Sequence, residues 1–170
     1  LRDLVSSFLR TLLPSKKYES FTKYYRLISE TFSHFITGQL IEAFILGSLC
    51  FVGMTIFGFD YAPLISTLIG ITSIIPVVGA IIGTVPAVII LLLVNPIDAI
   101  WFVVFIIVLQ QIESNLIYPR VVGKSIGLPP LLVILSILIG AGLGGIVGIL
   151  VGVPLTSVLY IVVKDYTATH

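Results

Sequence analysis

The sequence predicts an all-α membrane protein in which long helices alternate with broken helical hairpins, and three observations carry that prediction. Hydrophobic residues make up 58% of the chain and charged residues only 10%, with a mean hydropathy of +1.20. A soluble domain carries about 25% charged residues, so a greasy soluble core does not account for the gap. The apolar residues are gathered into four blocks, 35–58, 62–94, 97–118 and 128–163. Two of these blocks are interrupted, one at Pro76 and Gly79, the other at Gly140, Gly142, Gly144 and Gly145, with Pro154 beyond.

Residues 1–34 are expected to be cytoplasmic amphipathic helices. Leu1, Leu4, Val5, Phe8, Leu9 and Leu12 recur at helical spacing up to Pro14, where a helix must stop. Leu1 opens the chain with no signal region, so earlier segments are expected to precede it. Ser15 is suited to open the next helix. Tyr18, Phe21, Tyr25, Ile28, Phe32 and Phe35 then alternate at steps of three and four. This packing seam runs on into the first apolar block, where Gln39 and Glu42 are its next members. Both are therefore expected to face other helices and not lipid.

Residues 35–163 form the expected membrane domain. The block 35–58 is long enough for one tilted crossing. Gly58 to Pro63 breaks the helix, and the block 62–94 follows as a hairpin. At about 1.5 Å per residue each of its legs reaches roughly 24 Å, short of the roughly 30 Å hydrocarbon core. Such legs are short enough to be re-entrant, and non-helical backbone at that depth needs protein or a wet cavity around it. Asn95-Pro96-Ile97-Asp98 closes the hairpin, and a second long helix is expected over 97–118. A loop over Pro119–Ser125 leads to the second hairpin, 128–163, and 164–170 is a polar tail.

Charge sets the orientation. Arg2, Arg10, Lys16, Lys17, Lys23, Arg26, Arg120, Lys124 and Lys164 fall in one set of flanks, whereas the turns holding Asp60 and Asp98 contain no Lys or Arg. The positive-inside rule makes the first set cytoplasmic. The path then repeats one unit, a long helix and a broken hairpin, in opposite orientations. Gly79-x3-Gly83 followed by Pro86 echoes Gly148-x3-Gly152 followed by Pro154. Inverted repeats with broken helices are a common plan for secondary transporters.

Glu42 and Glu113 are the intramembrane acids. A carboxylate in hydrocarbon costs on the order of 3 kcal/mol on insertion scales, which makes each a candidate for coupling or substrate contact. Their alternative role is an interfacial brace near the headgroups. Gln39 accompanies Glu42; Gln110, Gln111, Ser114 and Asn115 surround Glu113; Arg120 is placed to pair with Glu113. Asp60 and Asp98 read as loop residues and helix caps. Trp101, Tyr61 and Tyr118 read as an aromatic belt.

Other classes are not supported. Cys50 is the sole cysteine and sits in an apolar run, and His34 and His170 have no metal-ligand company. No metal site and no cofactor are expected. The chain lacks His-Glu-x-x-His, paired intramembrane aspartates and a complete glycine-rich phosphate loop, so no enzyme is indicated. Nucleic-acid binding has no basic face beyond the helix at 15–33.

The order of motifs resembles the autoinducer-2 exporter family of permeases. The resemblance rests on Ile36-Thr37-Gly38-Gln39-Leu40, Tyr61-Ala62-Pro63-Leu64 and Ile75-Pro76-Val77-Val78-Gly79. It continues through Gln110-x2-Glu113-x-Asn115, Pro119-Arg120-x2-Gly123, Leu128-x-Pro130-Leu131 and Gly148-x5-Pro154. It runs from about residue 10 to 163 and implies the C-terminal half of such a protein, multi-pass in the bacterial inner membrane and homo-oligomeric. It also implies a quorum-sensing exporter or a sodium/proton antiporter, with a small polar substrate or a cation as partner beside the lipid bilayer. Gln39, Glu113, Asn115, Arg120 and Gly123 match the family's polar motifs; Glu42 rests on the packing seam alone. The first expectation is a secondary transporter or exporter of a small molecule. The alternatives are antiport with Glu113 or Glu42 titrating, and a non-transporting scaffold that oligomerises through the Tyr18–Phe35 seam.

Overall fold

The computed structural model describes residues 15–123 and 128–168. The amphipathic helix expected over 1–13, together with Lys124 and Ser125, lies outside them. In chain order the helices are α1 (Ser15–Phe57), α2 (Ala62–Ser73), α3 (Val78–Val94), α4 (Pro96–Ile112) and α5 (Pro130–Ala168). Two π-helical turns, Glu113–Ile117 and Pro119–Gly123, extend α4.

With no proline to stop it, α1 runs for 43 residues. At 1.5 Å per residue that is about 65 Å, roughly twice the hydrocarbon core. Its buried side chains are Thr31, Phe35, Gln39, Glu42, Leu46, Cys50 and Met54, with Ala43 beside them, a single stripe at steps of three and four. Of the expected seam, Phe35, Gln39 and Glu42 are covered by the chain itself. Tyr25 and Ile28, upstream, are 58% and 42% exposed.

Gly58 and Tyr61, both at positive φ, turn the chain, and Pro63 stands in the first turn of α2. No side chain caps α2, so Asp60 is a turn residue and not a cap. The hairpin of α2 and α3 closes at its tip on Val77, whose φ of 65° and ψ of −49° form a tight turn with Val78 N–H donating to the Pro76 carbonyl at 2.7 Å. Gly79 and Gly83 then lie against Thr72 and Ile69 of α2, closer than any side chain would allow.

Asn95 caps α4, its Oδ1 accepting from Ile97 N–H at 3.0 Å; Asp98 stands in the first turn and is not the cap. The expected loop at Pro119 is a correction: the chain stays helical to Gly123. Proline clashes with the carbonyl four residues back in an α-helix. Here the helix widens just before Pro119, and Tyr118 N–H donates to the Glu113 carbonyl five residues back.

Among the described residues three stretches are long and apolar enough to cross a membrane, Thr22–Phe57, Pro96–Val122 and Leu131–Asp165, and the last is bent. Of the breaks expected in this block, only Gly144 (φ −149°, ψ 20°) and Gly145 (φ 56°, ψ −135°) leave the helical region. Gly140 and Gly142 are helical, and Pro154 is buried inside the continuing helix. Gly140 and Gly148 touch backbone to backbone. In a straight helix residues eight apart would stand about 12 Å from each other, so the chain doubles back between them. Gly152 rests against the Ser136 carbonyl one turn further along. The far end of α5 reaches the flank of α1, where Lys23 Nζ meets Asp165 Oδ2 at 3.1 Å.

Two cores result. Leu46, Cys50 and Met54 of α1 pack with Ile65 and Ile69 of α2, Leu91 of α3 and Phe102 and Ile106 of α4. Phe57, Phe59, Phe102 and Phe105 close that end with ring centroids about 6 Å apart. A second core joins Phe35, the hairpin-tip Ile75, Val122, and Ile137, Ile149 and Val153 of α5. The outside is apolar as well: Leu93 is 82% and Phe44 77% exposed. Soluble monomers do not present such a continuous apolar exterior; lipid covers it.

Candidate substrate cavity

Between the two cores, α1, the α2–α3 tip and the end of α4 leave a cavity of about 270 Å³. Each wall follows from a feature of the sequence. Gln39 and Glu42, one turn apart on the buried stripe of α1, form one side, and Pro76, Val77 and Ala80 bring the hairpin tip to the second. Gln110, Gln111, Glu113, Ser114 and Tyr118 form the third.

The π turn explains Tyr118. On an α-helix, residue i+5 stands about 140° round from residue i, which would turn Tyr118 away from Glu113. A turn bonded i to i+5 stacks the two nearly in line. Tyr118 is thus a cavity residue and not part of an aromatic belt, whereas Trp101 and Tyr61 are exposed at 61% and 52%. The signal in the sequence was Pro119, which a continuing helix can accommodate by widening.

The polar groups here are incompletely paired. Gln39 Nε2 donates to the Ile74 carbonyl at 3.5 Å, which ties the hairpin tip to α1 and directs Oε1 inward. Gln39 Oε1, Glu42 Oε2, Gln110 Nε2 and Tyr118 Oη are all buried with no hydrogen-bond partner in the protein. Gln39 and Glu42 are only 2% and 3% exposed. A buried polar group left unsatisfied costs about 1–3 kcal/mol, and all four belong to residues that line one cavity.

The remaining expected site residues divide. Asn115 does not line the cavity; its Nδ2 donates to the carbonyl and, at 3.2 Å, to the side-chain Oε1 of Gln111, which does. Arg120 does not pair with Glu113: its Nη1 donates to the Leu116 carbonyl at 2.8 Å, one turn back on its own helix. Ser114 Oγ donates to the Gln110 carbonyl at 2.6 Å. Among the described residues no cluster of three His, Cys, Asp or Glu side chains is gathered to hold a metal.

Two long helices and the hairpin between them enclose this polar chamber, and residues 2–168 match the model of the AI-2E family transporters. The chain belongs to the AI-2E family. It is 36% identical over 156 residues to "Putative transport protein YueF" of Bacillus subtilis, covering 91% of this chain and 41% of the relative. It is 30% identical over 164 residues to "Putative transport protein YrrI" of the same organism, covering 96% of this chain and 46% of that one. "Putative transport protein YhhT" of Escherichia coli is 32% identical over 127 residues, covering 74% and 36%. The chain thus spans less than half the length of these relatives. No solved structure matches it.

The AI-2E family is a bacterial family of multi-pass membrane transporters and not of enzymes. Gly123-Lys124-Ser125-Ile126-Gly127 has the Gly-x-Ser-x-Gly spacing of a hydrolase nucleophile. That motif acts on a strand-to-helix turn with a histidine partner; its last four residues lie outside the described ones.

Proposed function

We propose that the protein is a secondary transporter that moves a small polar molecule across the bacterial inner membrane, with the cavity between α1, the α2–α3 tip and α4 as its substrate chamber. The observation that carries this reading is that four residues lining that cavity each hold a buried polar atom with no partner in the protein. Gln39, Glu42, Gln110, Glu113 and Tyr118 contact the substrate; Arg120 and Asn115 brace the end of α4. The glycine contacts that close both hairpins, Gly79 and Gly83 on α2, Gly148 and Gly152 on the first leg of α5, support two inverted units of helix and hairpin. Such units rock against each other around a site near their interface. Autoinducer-2 export is the first substrate reading. Homo-oligomerisation through the exposed flank of α1 at Tyr25 and Ile28 accompanies it.

A specific observation favours a second reading, sodium/proton antiport. Among the described residues, the cavity walls hold two carboxylates, Glu42 and Glu113, and no lysine, arginine or histidine. Both readings are tested in proteoliposomes of the full-length protein, wild type against Glu113→Gln, with assembly checked by size-exclusion chromatography. Autoinducer-2 uptake lost in an assembled variant supports export. Sodium-dependent proton movement lost in that variant supports antiport. Wild-type flux in the variant removes Glu113 from the site.

A further inference from the structure

We infer that the flank where the end of α5 meets α1 binds a zwitterionic phospholipid with a primary ammonium, phosphatidylethanolamine, from the cytoplasmic leaflet. This site is separate from the substrate chamber, which neither Arg26 nor Glu30 lines. Three features lead to it.

The first is depth. The stretches Thr22–Phe57 and Leu131–Asp165, each apolar enough to cross a membrane, come together here by their ends, where Lys23 Nζ meets Asp165 Oδ2 at 3.1 Å. The second leg of α5, 146–163, is about 27 Å long at 1.5 Å per residue, close to the roughly 30 Å hydrocarbon core. Leu155, Leu159 and Val163 are exposed along it, and Lys164 and Asp165 follow at once. On α1 the exposed Tyr24 and Tyr25 stand beside Lys23, as aromatic residues do among headgroups. Lys23, Arg26 and Lys164 make this flank cytoplasmic by the positive-inside rule.

The second feature is an open cavity of about 480 Å³ between the two helices. Lys23, Arg26, Glu30 and Asp165 wall it, and the half-buried Leu27 and Ile161 give it an apolar floor. Charged walls over hydrocarbon are what a headgroup and the start of its acyl chains require, and basic pockets on the cytoplasmic side are a recurrent form of headgroup site. The third is the pattern of charge. Two cations and two anions line the cavity, which suits a zwitterion better than an ion of either sign. Lys23 and Asp165 pair with each other, whereas among the described residues neither Arg26 nor Glu30 forms a salt bridge. Both are exposed, so no burial cost falls on their charges. They stand one turn apart on the same face of α1, with Cβ atoms about 6 Å from each other at that spacing. The guanidinium takes the lipid phosphate through two parallel N–H bonds. Two carbons further along the headgroup, the ammonium donates to the Glu30 carboxylate. A choline headgroup has no N–H to give Glu30, and a glycerol headgroup has no positive charge.

The test is lipid binding to the purified full-length protein in detergent, read by native mass spectrometry with dioleoyl lipids that differ only in the headgroup. Phosphatidylethanolamine is expected to bind roughly three- to fivefold tighter than phosphatidylcholine or phosphatidylglycerol, the range of an exposed ion pair. Glu30→Gln should remove that preference, and Arg26→Gln should weaken the binding of all three lipids. Both positions are exposed, and an unchanged unfolding midpoint shows that each variant is folded. Equal binding of the ethanolamine and choline lipids in the wild type overturns the ammonium contact and the inference with it. A preference for phosphatidylglycerol replaces the site with one for anionic lipid on Lys23 and Arg26. An ethanolamine preference that survives in both variants places the lipid elsewhere on the protein. Glycerophosphoethanolamine, which carries the headgroup without acyl chains, is the last arm; if it displaces the lipid at equal concentration, the site is one for a soluble zwitterion and the membrane is not its source.

Discussion

Alanine in place of Gly148 tests whether α5 is a hairpin or one straight helix, since the two arrangements predict opposite signs. In the hairpin, a Cβ on Gly148 would fall inside the carbonyl of Gly140, and one on Gly140 would fall inside the carbonyl of Gly148. Both obstacles are backbone, so no side chain can swing aside. Overpacking of this kind costs about 1–3 kcal/mol, and a backbone obstacle belongs at the upper end of that range. Glycine to alanine within a helix returns about 0.5–1 kcal/mol, leaving a net loss of about 2 kcal/mol. Gly142 supplies the control. It is helical, on the same block, with nothing within 4 Å of its would-be Cβ. Gly142→Ala keeps only the helix gain of about 0.5–1 kcal/mol. Reversible unfolding of the full-length protein in mixed detergent micelles should therefore separate the two variants by about 3 kcal/mol, in opposite directions from wild type. If Gly148→Ala is as stable as Gly142→Ala, the legs of α5 are not in contact and the doubled-back chain is wrong.

Val77, a β-branched residue at φ 65°, stores strain of about 1–3 kcal/mol, so Val77→Gly should stabilise the protein by about 1 kcal/mol where Val77→Ala does not. Equal unfolding midpoints for those two variants would place the strain elsewhere. Tyr118→Phe removes a buried hydroxyl with no protein partner; the protein should gain about 1–3 kcal/mol of stability while substrate flux falls, and unchanged flux would take Tyr118 out of the chamber. The exposed Lys23–Asp165 pair should show a coupling of about 0.2–1 kcal/mol in a double-mutant cycle. That coupling should shrink in 1 M salt, where the screening length falls to about 3 Å; a larger, salt-independent value would mean that the contact is shielded from water.

Much of this architecture is written in local chemistry. The apolar blocks, the helix start at Pro63 and the Asn95-Pro96 cap depend on composition and on backbone rules that act over a few residues. The buried stripe of α1 was legible for the same reason, because a helix without proline keeps its period and carries Phe35, Gln39 and Glu42 to one face. Membership of the AI-2E family was likewise carried by short motifs in order.

What the sequence could not determine depended on which surfaces meet. Four glycines lie between residues 140 and 145, and each is free to break the helix; only packing of Gly140 on Gly148 decides that Gly144 and Gly145 do. Arg120 and Glu113 have opposite charges at a reachable spacing, yet the widened turn sends the guanidinium to the Leu116 carbonyl. Tyr118 moved from an expected belt to the cavity wall because helical phase changes by a large angle when one turn goes from i+4 to i+5 bonding. Sequence by itself determined a membrane protein of this family with two acids and their amides at membrane depth. Tertiary structure alone decided that Gln39, Glu42, Gln110, Glu113 and Tyr118 face one cavity. The first follows from short-range periodicity and transfer energy. The second depends on contacts between residues some seventy positions apart, which no local rule contains.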